Sequence, residues 1–161
     1  MDVGATIAVV ARVALAAAFT LSAGAKLARP AAFAEGLADF GVPRSGVVAR
    51  LLPVVEGALA ALLVLVPEEP WPAFLAIAVL ALFTGAVVAN LASGRATPCP
   101  CFGAPGPGAR PVSAATVARN GYLIGLAVVG TGSTAGASPA GTAVGAVVVV
   151  AATLVALRRF G

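Results

Sequence analysis

Histidine is missing from this chain of 161 residues, and cysteine occurs only twice. A structural zinc site wants four ligands, usually Cys and His, so one copy of the chain lacks the donors for it. Methionine does not help, since Met1 is the only one. Charge is the second shortage. Only 10% of residues are charged while 60% are hydrophobic, and the mean hydropathy is +1.05. A soluble domain carries about 25% charged residues. That leaves too little polar side chain to cover a soluble globule, so the solvent for most of this surface is lipid. Strict period-2 alternation is also absent, which excludes a lipid-facing β-barrel. The net charge of +4 comes from 10 basic and 6 acidic residues. The basic ones sit at segment ends rather than in a stripe, which argues against nucleic acid as a partner. No internal repeat or low-complexity tail is visible.

Long apolar runs are what the chain does have. A bilayer-crossing helix needs about 20 apolar residues, and the runs 4–25, 46–66, 71–92 and 139–157 meet or nearly meet that length. A fifth run, 114–130, is shorter and carries Arg119 and Asn120 early on. The reading is an all-α integral membrane helical bundle, one transmembrane domain over 1–161, with a four-helix core and a fifth, C-terminal helix. No basic residue precedes the first run and Arg12 interrupts it, so it reads as a mature helix and not a cleaved signal. Between the first two runs, "RPAAFAEGLADFGVP" is bounded by Pro30 and Pro43. Phe33, Leu37 and Phe40 recur there at helical spacing with Glu35 and Asp39 off the stripe. This predicts a short interfacial amphipathic helix over about 31–41. GxxxG spacings at Gly121/Gly125 and Gly141/Gly145 permit close helix approach, within the chain or in a homodimer.

In a five-helix topology, nine of the ten basic residues fall on one side, from Lys26, Arg29, Arg44 and Arg50 to Arg158 and Arg159. The other side has Asp2, Glu68, Glu69 and an uncharged loop at 130–141. The positive-inside rule makes the basic face cytoplasmic, in a multi-pass protein of the cell membrane with its N-terminus outside. The 93–113 connection, which carries both cysteines, falls on that cytoplasmic face.

Arg12 and Glu56 lie well inside apolar runs, where each would cost about 2.5–3.5 kcal/mol on insertion scales. If the first two helices end flush, Arg12 is roughly 10–12 Å deep and Glu56 roughly 15 Å deep at 1.5 Å per residue. The expectation is a buried Arg12–Glu56 ion pair locking helices 1 and 2. A second polar set, Lys26, Asn90, Arg119 and Asn120, shares the membrane level of Cys99 and Cys101. A nearby cation favours thiolate over thiol.

The cysteines stand in "TPCPCFG". A disulfide between residues one apart closes a small, strained ring, and strain makes it easier to reduce. Pro98 and Pro100 restrict the backbone and Gly103 permits a sharp turn. Three readings stay open: a redox pair, a ligating pair and a non-catalytic scaffold. Thiolates select soft ions, so Cys99 and Cys101 could land Cu(I) or Hg(II), or a sulfur compound, in a membrane transporter.

Three stretches together resemble a known family. They are "ARVALAAAFTLSAGAKLARPAAFAEGLADFGVP", "LLPVVEGALAALLVL", and "CPCFG" followed by "VARNGYLIGLA", spanning about residues 11–127. The chain resembles the MauE proteins, a branch of the DoxX-like membrane family associated with methylamine utilisation and thiol redox. The central residue of the Cys-x-Cys element is Pro here, where the family pattern favours Gly. The resemblance implies a membrane partner of a thioredoxin-like protein, supporting disulfide formation or maturation of exported proteins, with Cys99 and Cys101 as the redox pair. It carries Arg12, Lys26, Glu56, Arg119 and Asn120 as family-pattern positions. No cofactor motif is evident. A quinone would be one acceptor for the electrons, with no sequence signature to support it.

Overall fold

The computed structural model describes residues 2–94 and 112–160, with side chains described as far as Val155. Among the described residues the chain is all helical. The elements are α1 (Val3–Ala28), α2 (Pro30–Asp39), α3 (Ser45–Leu65), α4 (Trp71–Ala92), α5 (Ala114–Val129) and α6 (Pro139–Phe160). Three of them, α1, α3 and α4, are long and apolar enough to cross a membrane; α5 and α6 are apolar with shorter apolar windows. Many large side chains face outward, with Leu65 77% exposed and Leu82 72% exposed. In lipid such a surface carries no hydrophobic penalty, and this is what the low charge content required. The protein is a membrane helical bundle in contact with the bilayer.

Helix α1 is the most enclosed element and packs against α3, α5 and α6. Its buried positions are mostly alanine, including Ala8, Ala11, Ala14 and Ala18. Small side chains let neighbouring backbones approach closely, and close packing is what holds helices together in lipid. Leu15 and Phe19 then join Leu59, Leu63, Leu80 and Leu123 in the main core. On α3 the buried positions Ala49, Pro53, Glu56, Leu59/Ala60 and Leu63 recur at helical spacing, so one stripe faces inward. Helix α4 pairs chiefly with α5 and touches α3 sparsely.

The amphipathic helix forms where its spacing predicts. Phe33 and Leu37 are buried against Ala49, while Glu35 and Asp39 are exposed. Pro30 opens α2 at its first position, where its missing N–H has no intrahelical partner to lose. Gly41, at φ +84°, turns the chain out of it.

The second GxxxG pair works inside the chain. A Cβ on Gly145 would stand 2.8 Å from Val10 Cγ2, and one on Gly141 would stand 3.2 Å from Thr6 Cγ2, so both glycines let α6 lie close on α1. Gly121 and Gly125 have nothing within 4 Å of their Cβ directions.

Candidate functional site

Two groups of buried polar side chains lie at opposite ends of the bundle. The first is built on α1 and α3. Ser22 and Lys26, one helical turn apart, share a face of α1. Glu56 projects from the inward stripe of α3 to meet them. Lys26 Nζ donates to Glu56 Oε1 at 2.7 Å and to Oε2 at 2.8 Å, and to Ser22 Oγ at 2.5 Å. Ser22 Oγ donates to Glu56 Oε1 at 3.2 Å. Neither charged side chain is exposed at all. Phe33 of α2 and Phe83 of α4 place their ring centroids 5.5 and 5.8 Å from the ammonium. Their π-faces stabilise a cation within about 6 Å. The surface strap is therefore also the cover of the ion pair.

Helices α4 and α5 complete this group. Asn120 is 1% exposed and lines a small cavity with Ser22, Glu56, Phe83 and Leu123. Arg119 is buried and lies within electrostatic range of Lys26. Asn90 is buried two turns beyond Phe83 on α4, close to where the 93–113 connection leaves the bundle. Ser113 receives that connection at the start of α5. Lys26, Glu56, Arg119 and Asn120 thus converge at the end of the bundle that carries the cysteine connection. Cys99 and Cys101 themselves lie outside the described residues.

The expected Arg12–Glu56 pair is corrected: Glu56 pairs with Lys26, and Arg12 lies at the other end of α3. Arg12 Nε donates to Gly130 O at 2.7 Å, and Nη1 donates to Val66 O at 3.2 Å. The error is one of register. Ser22 meets Glu56 and Arg12 meets Val66, so ten residues, or about 15 Å of helix, separate Arg12 from the level of Glu56. The flush-ended arrangement ignored that α1 runs on past the end of α3 by more than two turns. Val66 and Gly130 are the C-caps of α3 and α5. Each helix C-terminus carries roughly half a negative charge, so two such ends compensate one buried guanidinium without a carboxylate.

Sequence reasoning missed Ser22, Phe33 and Phe83 as members of the first group. The four-residue spacing of Ser22 and Lys26 on an apolar helix was the available signal. Nothing local marked Gly130 or Val66 as acceptors, because any backbone carbonyl can serve.

No curated protein and no solved structure matches the chain. The family described as methylamine utilisation protein MauE matches residues 4–133, which takes in α1 to α5 and leaves α6 outside. With the polar residues of the resemblance all inside that span, the chain belongs to the MauE family.

Proposed function

We propose that the protein is a membrane thiol–disulfide exchange protein in which Cys99 and Cys101 cycle between dithiol and disulfide with a thioredoxin-like partner. The observation that carries this reading is the gathering of buried Lys26, Glu56, Arg119 and Asn120 at the roots of the cysteine connection. Lys26 and Glu56 cancel each other's charge at contact distance. Arg119 adds a further buried cation to the group, in the second turn of α5, the helix that the cysteine connection enters. A cation near a thiol favours the nucleophilic thiolate. Arg119 is therefore the stabilising cation in this proposal, and the Lys26–Glu56 pair holds α1 and α3 in place.

When the partner arrives oxidised, one cysteine thiolate attacks a sulfur of its disulfide. That S–S bond breaks, a mixed disulfide forms, and the partner's other sulfur leaves as thiolate. The second cysteine loses its proton and attacks the mixed disulfide. This chain is left with a Cys99–Cys101 bond and the partner with two thiols, two electrons having passed to the partner. The reverse sequence delivers the disulfide instead. The bias of basic residues toward one set of loops supports a cytoplasmic position for the cysteines in this proposal.

The test is complementation of a strain lacking the protein, with Cys99→Ser and Cys101→Ser tried singly. Loss of function in both, with a mixed disulfide trapped by one of them, is the expected result. Full function in Cys99→Ser, or stoichiometric Cu(I) binding with ion flux in vesicles, would overturn the reading.

A further inference from the structure

A cavity of about 350 Å³ lies at the α2 end of the bundle, with α2 and α3 on one side and α4 on the other. Phe33 and Phe40 line it from α2. Val48 and Leu52 of α3 form one wall, and Leu82 and Ala86 of α4 form the other. The members of each pair stand four residues apart, so each wall is a ridge running along its helix for about 6 Å. The cavity is thus a slot parallel to the helix axes, set where α3 and α4 touch only sparsely. Its mouth is continuous with the surface that faces the bilayer. Leu82 is 72% exposed and Ala86 is exposed, while Leu52 and Phe83 are partly buried.

The lining decides what enters. Every residue around the slot is apolar except Lys26, and the Lys26 ammonium is unexposed and donates to Glu56 and Ser22. A buried water needs about three hydrogen bonds, and none is offered. The same shortage excludes a ligand held through its polar groups, whether a phosphate head group or the carbonyls of a quinone. A partner helix is too thick. One turn, about 10 Å across and 5.4 Å tall, fills roughly 420 Å³, more than the whole slot holds. A hydrocarbon chain is thin, apolar and present at the mouth.

We propose that the slot holds one acyl chain of a bilayer phospholipid. Exposed Glu35 and Asp39 set α2 at the water interface, so the glycerol end of the lipid points toward α2 and the chain runs inward past Ala86 and then Leu82. Helices in lipid are held by packing contact, and an empty slot forfeits that contact on both walls. The chain supplies it, joining α3 to α4 where the protein makes little contact of its own. It also packs on Phe83, whose ring lies over Lys26. The occupant therefore acts as a structural lipid, chosen for its chain and not for its head group.

The experiment places the full chain in phosphatidylcholine nanodiscs doped with a phosphatidylcholine that carries a photoactivatable diazirine on one acyl chain. Adducts are mapped by mass spectrometry. Leu51 is the internal reference, being at the same depth as Leu52, 60% exposed and outside the slot. Surrounding lipid alone labels Leu51 more than its partly buried neighbour. Since contact governs association in lipid, the expected result is the reverse, with Leu52 labelled about fivefold above Leu51. Ala86→Trp fills the mouth from an exposed position and should bring Leu52 below Leu51, with Ala86→Leu giving a partial fall. Phosphatidylglycerol with the same labelled chain should give the same pattern. Leu51 labelled above Leu52 in the unsubstituted protein, or a Leu52 signal unmoved by Ala86→Trp, would overturn the proposal. So would a pattern that changes with the head group, or loss of the Leu52 adduct when an isoprenoid quinone is added as a minor component of the bilayer.

Discussion

Lys26 grips both carboxylate oxygens of Glu56, at 2.7 and 2.8 Å, across two helices whose connection runs through α2. Breaking a buried pair from one side strands the other charge, which costs about 3–5 kcal/mol, whereas removing both charges is often neutral or stabilising. Lys26→Met and Glu56→Met should each lower the melting temperature in detergent sharply, and the double variant should recover most of the loss. Additive losses would show that the two residues do not act as a pair.

Phe33 is fully buried and covers the ammonium of that pair. Truncation to alanine leaves a cavity worth about 3–5 kcal/mol and removes one of the two rings over Lys26. Phe33→Ala should raise hydrogen exchange across α2 and protease cutting near Pro43–Arg44, while α5 and α6 stay protected. Unchanged protection of α2 would mean that the strap is held elsewhere.

At Gly145 α6 lies so close to α1 that an added Cβ would stand 2.8 Å from Val10 Cγ2. Overpacking a tight contact costs typically about 1–3 kcal/mol, so Gly145→Ala should destabilise the protein and Val10→Ala should rescue it in the double variant. Gly121→Ala should be neutral or stabilising, since Ala is better than Gly in a helix by about 1 kcal/mol and open space surrounds that position. Melting of the four variants side by side distinguishes the cases. Equal effects at Gly145 and Gly121 would deny the close approach.

Arg12 holds two carbonyls through a planar fork that lysine lacks. Hydrogen bonds to charged groups contribute about 1.5–3 kcal/mol, and Arg12→Lys should lose at least one of them. Faster hydrogen exchange at the ends of α3 and α5 and through 131–138 is the expected readout. An exchange pattern identical to the unsubstituted protein would mean that one carbonyl contact suffices.

The helices were legible because apolar runs of bilayer length have few alternatives, and because Phe33, Leu37 and Phe40 repeat at helical spacing. The membership of Lys26, Arg119 and Asn120 in one group was also legible, since all three stand at run ends on the same side. The partner of Glu56 was not. Relative sliding of α1 and α3 is set by how α2 folds back beneath them, and a connection that contains its own helix leaves that offset open at the sequence level. Arg12 was misassigned for the same reason. A carboxylate is a conspicuous partner, while the C-terminal carbonyls of α3 and α5 exist at every helix end and carry no residue signature. The role of Gly145 depended on the same kind of offset, here between α1 and α6.

The contact between α3 and α4 is sparse, so the described helices fall into two closely packed pairs that share one core through α1. On one side stand α1 and α3, riveted by Lys26 and Glu56; on the other stand α4 and α5, which bear the two roots of the cysteine connection. Arg12 pins α5 to α1 at Gly130, the end remote from those roots. Arg119 and the Lys26–Glu56 pair therefore stand on different helix pairs, and the charge environment at the base of the connection is set by how α4 and α5 seat on α1 and α3, through Phe83 over Lys26 and Asn120 beside Glu56.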